Sequence, residues 1–88
     1  MKINYTSSVT GKRTTAHVDE NIWKILQKTI RITGGQRAEN DGRTSVEHWI
    51  TAFDKEFRTW AKDEAPTFSA YISKRLTEEI MMDLEALS

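Results

Sequence analysis

Cysteine is absent from the 88-residue chain, which removes disulfides, thiolate metal sites and thiol catalysis together. A single proline and four glycines exclude collagen-like and proline-rich architectures. No apolar run approaches the roughly 18 residues that span a bilayer. The opening MKINYTSSVT lacks the apolar stretch of a secretory signal. An excess of charge of one sign is also missing: thirteen basic and thirteen acidic residues cancel, so disorder driven by net charge is not implied. With 38% hydrophobic and 30% charged residues, the composition is that of an ordinary globular protein. Two independent cores would not fit, so residues 1–88 are expected to form one domain, soluble and cytoplasmic.

The zero net charge covers an asymmetry. Residues 1–43 carry eight basic groups against four acidic ones, net +4, and residues 44–88 carry five against nine, net −4. A basic first half suits phosphates, and an acidic second half suits protein partners. Mutual neutralisation within the fold or a dimer is the plainer alternative.

The pattern predicts an α+β domain: a strand or hairpin over residues 1–18, then three helices over about 19–32, 45–63 and 66–86. The segments KINYTSSV and KRTTAHV are rich in β-branched and aromatic residues and alternate as strands do, with Thr10-Gly11 between them as a turn. In the second segment Thr14, Ala16 and Val18 face one way, and Arg13, Thr15 and His17 the other. Asp19 is placed to cap the first helix, Glu20 suits its positive end, and Val18 with Trp23 has staple spacing. Ile22, Ile25, Leu26, Thr29 and Ile30 then follow helical spacing. The polar run 33–43, with three glycines, is longer than most helix connections and is expected to be mobile. Thr44 and Glu47 fit a capping box. Val46, Trp49, Ile50, Phe53, Phe57 and Trp60 then make an apolar stripe, with the aromatics assigned to the core. After Pro66, a third stripe runs through Phe68, Ile72, Leu76, Ile80, Leu84 and Leu87, flanked by Tyr71 and Met81, which could extend it into an interface.

Catalytic chemistry finds little footing. His17 and His48 are the only histidines and have no zinc-type spacing. No nucleophile elbow or phosphate-binding glycine fingerprint is present. Asp63-Glu64 and Glu78-Glu79 fit solvated helix faces better than paired catalytic carboxylates. An enzyme, a metal or another cofactor is therefore not expected. By contrast, Arg13, Thr15 and His17 project together from a strand that leads straight into a capped helix. Such a face suits base edges in the DNA major groove, which admits a two-stranded ribbon.

Arg13-Thr14-Thr15-Ala16-His17-Val18-Asp19, followed by Ile22-Trp23-Lys24-Ile25-Leu26 and, later, by Gly42-Arg43-Thr44-Ser45-Val46-Glu47, resembles ribbon-helix-helix DNA-binding proteins of the MetJ/Arc type over about residues 12–57. That resemblance implies a homodimer whose paired strands enter double-stranded DNA, as in a small transcriptional or plasmid-type regulator. It implies base contacts from Arg13, Thr15 and His17. It places Arg43, Thr44 and Ser45, together with Lys12 of the basic strand entry, at phosphates, where a helix N-terminus suits an anion. The alternative is a non-catalytic protein-interaction module with an intramolecular hairpin and a docking surface on helix 66–86, through the Phe68/Ile72/Leu76 stripe. KINYTSSV favours it, because it gives the second strand a partner within the chain.

Overall fold

In the computed structural model, which describes residues 1–33 and 42–86 and the side chains of 1–29 and 46–86, the chain opens with an antiparallel hairpin of β1 (Lys2–Thr6) and β2 (Arg13–His17). Three helices follow among the described residues: α1 (Glu20–Thr33), α2 (Gly42–Thr59) and α3 (Phe68–Ala86), with a short 3-10 turn at Lys62–Glu64 before α3. This is the expected α+β order. No helix among the described residues is long and apolar enough to cross a membrane. Most of the 33–43 run and Leu87 lie outside the described residues.

The hairpin is shorter than the two β-rich segments because its turn takes six residues, 7–12. Ser7 N–H donates to the Lys12 carbonyl (3.0 Å) and Gly11 N–H to the Ser7 carbonyl (2.9 Å). Gly11 has φ +71°, a conformation in which a Cβ is strained. Ser7 Oγ also accepts from the Val9 and Thr10 amides, each at 3.2 Å, so a side chain replaces the ladder there. At the other end, Val18 N–H donates to the Met1 carbonyl (2.9 Å) and the Met1 amine to the Val18 carbonyl (2.7 Å).

Alternation then sorts the two faces. Tyr5, Ala16 and Val18 are buried, and Ile3 packs against them. β1 lies on α2 and β2 touches α3, while α3 packs along both α1 and α2. Leu26, Ile50, Ile72 and Leu76 are completely enclosed, each contributing about 1.5–3 kcal/mol by burial. Asp19 caps α1 as its position predicts, accepting from the Asn21 and Ile22 amides at 2.9 and 3.2 Å. Thr67 caps α3: its Oγ1 accepts from the Ala70 amide at 3.1 Å.

Several expectations are corrected. α2 starts at Gly42 and ends at Thr59, so Thr44 lies in its first turn and the helix stops short of residue 63. The end of α2 explains Trp60. Both Trp60 N–H (3.0 Å) and Ala61 N–H (2.9 Å) donate to the Glu56 carbonyl. The chain there leaves the helix, buries Ala61 completely and turns Trp60 outward, 68% exposed. Trp60 is thus not core, whereas Tyr71, expected at the flank, is fully buried. Its ring lies 5.2 Å from that of Phe57 and 6.5 Å from that of Phe53. Ile25 and Leu84 fall at the edges of their stripes and are exposed.

Candidate nucleic-acid interface

The outer face of the hairpin is built by register alone. Lys2 stands opposite His17, Asn4 opposite Thr15, and Thr6 opposite Arg13. All six are exposed. Thr15 Oγ1 donates to Asn4 Oδ1 at 2.8 Å across the strands, tying the middle pair together. Residues 1–18 contain Lys2, Lys12 and Arg13 and no acid. Among the described residues, none of these three cations has an ion-pair partner. The result is a two-stranded polar surface with positive ends and a hydrogen-bonding middle.

The structure brings Arg13, Thr15 and His17 together on that face, with Lys12 exposed at the adjoining turn. Arg43, Thr44 and Ser45 belong by backbone to the first turn of α2; their side chains lie outside the described residues. Lys2, Asn4 and Thr6 were not singled out by sequence reasoning. The signal that finds them is the alternation of KINYT combined with an antiparallel partner. β2 is paired with β1 of the same chain in a two-stranded sheet, so pairing within the chain, as the interaction-module reading expects, stands where the resemblance implies strands paired between two chains.

Beneath this face a buried carboxylate fixes the hairpin to α2. Asp54, 1% exposed, accepts from Tyr5 OH (2.8 Å), Ser7 Oγ (2.6 Å) and Arg58 Nε (2.8 Å). Burial pushes its pKa upward, but the hydrogen bonds from Ser7, Arg58 and Tyr5, with the Arg58 charge, outweigh burial and hold it below the usual aspartate value. Burial, reinforced by the hydrogen bond to Asp54, pushes the Tyr5 phenol up to about 12. Tyr5 and Ser7 are the buried neighbours of exposed Thr6, so the clamp ties that end of the hairpin to α2.

A second polar cluster ties α2 to α3. Glu56 Oε1 accepts from Tyr71 OH at 2.7 Å and Arg75 Nε at 3.0 Å, while Arg75 reaches Glu78 at 2.8 Å and Glu79 at 3.4 Å. The Glu78-Glu79 pair is therefore a partner of Arg75 rather than a freely solvated face. The Arg75 guanidinium also lies over the Phe53 ring, 5.2 Å from its centre. His17 and His48 are both exposed. No three His, Cys, Asp or Glu side chains converge into a metal site among the described residues.

No protein-family model, curated protein or solved structure matches the chain.

Proposed function

We propose that the protein binds double-stranded DNA through the outer face of its β1–β2 hairpin, as a small non-enzymatic cytoplasmic regulator of the transcriptional or plasmid type. The observation that supports this most is the continuous, acid-free polar face of Lys2, Asn4, Thr6, Arg13, Thr15 and His17. A two-stranded ribbon has the dimensions to enter the major groove. Arg13 is the residue for bidentate contact with guanine, Thr15 for a polar edge or a thymine methyl, and His17 for a further hydrogen bond. Lys2 and Lys12 serve phosphates. Because β1 already pairs with β2, one chain supplies a complete ribbon, and a homodimer would add a second ribbon for a second half-site rather than complete the first.

Selection of a preferred site from random duplexes, followed by titration of variants, tests this. Arg13→Ala is expected to weaken the selected site by about 1–3 kcal/mol and relax the preference at one base pair. With Lys2 and Lys12 on phosphates, log K should fall against log salt with a slope of about −2 per chain. Unchanged affinity and preference in Arg13→Ala would remove the proposal.

The second reading, a protein-interaction module, is favoured by two features: the hairpin pairs within the chain, as that reading expects, and Met81, Met82 and Leu84 are exposed near the end of α3, at 52, 58 and 46%. A partner on α3 would meet these side chains. Ile72 and Leu76 of the Phe68/Ile72/Leu76 stripe are fully buried and Phe68 is half-buried, so that stripe serves the core rather than a partner. Binding there would be nearly indifferent to salt, unlike binding through the hairpin.

A further inference from the structure

A groove of about 410 Å³ adjoins the clamp, lined by Asp54, Phe57, Arg58, Lys62 and Phe68. Its volume lies within the range of small-molecule sites. Phe57 and Phe68 form its floor, their ring centres 5.7 Å apart and tilted by 33°. Both rings are only partly buried, whereas Phe53 and Tyr71 behind them are enclosed. The floor is thus apolar surface that the fold leaves in contact with water.

The polar groups of the groove carry a definite sign. Asp54 has its oxygens filled: Oδ1 by Tyr5 and Arg58, and Oδ2 by Ser7. It is almost wholly enclosed, and its charge is balanced by Arg58. Arg58 commits Nε to Asp54 yet keeps 43% of its side chain exposed, leaving the outer edge of the guanidinium to a ligand. Lys62 has no ion-pair partner among the described residues; its neighbour Glu64 pairs instead with Lys74, at 3.4 Å. Two cations and one anion leave a net charge of +1, on the accessible groups, at the edge of an aromatic floor. That balance suits a monoanion, and it supplies no further cation for a phosphate dianion.

We propose that this groove binds a small aromatic monocarboxylate, its ring on Phe57 and Phe68 and its carboxylate between Lys62 and the outer edge of Arg58. The site shares no residue with the outer face of the hairpin, so it stands or falls independently of DNA binding.

The experiment is a ¹H–¹⁵N titration of the full chain with 2-naphthoate, run beside the uncharged naphthalene-2-carboxamide, on the wild type and on Lys62→Glu. Lys62 is exposed and unpaired, so that variant retains the fold, which an unchanged spectrum away from the groove verifies. The expected result is saturable shifts at the amides of Phe57, Arg58, Lys62 and Phe68. The carboxamide should bind roughly tenfold more weakly, through loss of the charge-assisted contacts. Lys62→Glu should weaken naphthoate roughly fivefold, as befits an exposed charge. No saturable shift at these four amides, equal binding of the carboxamide, or naphthoate binding unaltered in Lys62→Glu would each overturn the proposal.

Discussion

Replacement of Asp54 by Ala should be among the most damaging single changes in the hairpin–helix contact. The side chain is 1% exposed and accepts hydrogen bonds from two buried hydroxyls, Tyr5 OH and Ser7 Oγ. Hydrogen bonds to a charged acceptor contribute about 1.5 kcal/mol each at the low end. The Arg58 pair adds less than about 1 kcal/mol, because Arg58 is 43% exposed and water screens it. The sum is about 3–4 kcal/mol, which for a domain of this size lowers Tm by about 12–30 °C. Asp54→Asn preserves the shape and some hydrogen bonding, so about half that loss is expected. The pH dependence has a fixed sign. The folded carboxyl sits below its unfolded value of about 3.9. Its contribution is therefore whole above that value and is lost as pH falls through the lower folded pKa. Urea titrations of the wild type, Asp54→Ala and Asp54→Asn at pH 7 and pH 2.5 read both effects: the gap between the wild type and either variant should narrow in acid. A loss under about 1 kcal/mol for Asp54→Ala, or a gap that widens as pH falls, would refute the clamp.

Other consequences are equally open to measurement. Tyr5 and Tyr71 are the only tyrosines, and burial together with a carboxylate partner raises both phenols, Tyr5 to about 12 and Tyr71 further. The stability they supply is whole below the unfolded value of about 10 and is lost as pH rises through the folded values. Absorbance at the tyrosinate band should thus stay flat through pH 10, and ordinary titration there would contradict the structure. Gly11→Ala should cost about 1 kcal/mol by urea unfolding: nothing crowds an added Cβ, so the whole penalty comes from the φ of +71°. Trp60→Ala should change stability by less than about 0.5 kcal/mol, whereas Trp23→Ala, which removes a side chain 6% exposed, should cost about 3 kcal/mol or more.

What was legible in the sequence was local. The alternation of Arg13–His17 assigned each β2 side chain to its face, because strand periodicity needs no knowledge of the partner. Asp19 identified the start of α1 because its cap bonds reach only two and three residues ahead. The stripe of α2 held through Phe57 and failed at Trp60, where the chain leaves the helix and periodicity no longer applies. The Asp54 clamp was invisible for the opposite reason: its hydroxyl donors lie 49 and 47 residues away. Nothing in DKEFR marks that aspartate as buried. Likewise Tyr71 reads as a stripe neighbour until α2 packs on α3 and encloses it. The outer face was half legible. Arg13, Thr15 and His17 came from one strand, but Lys2, Asn4 and Thr6 join them only through the register.

The most direct test of the DNA-binding proposal is to map the surface that a duplex covers. A ¹H–¹⁵N titration with a duplex carrying the selected site, at low and then at high salt, reads it residue by residue. The account predicts shifts concentrated at Lys2, Asn4, Thr6, Arg13, Thr15 and His17 that fade as salt rises. Shifts confined to the end of α3, or no shifts at the hairpin at low salt, would contradict it.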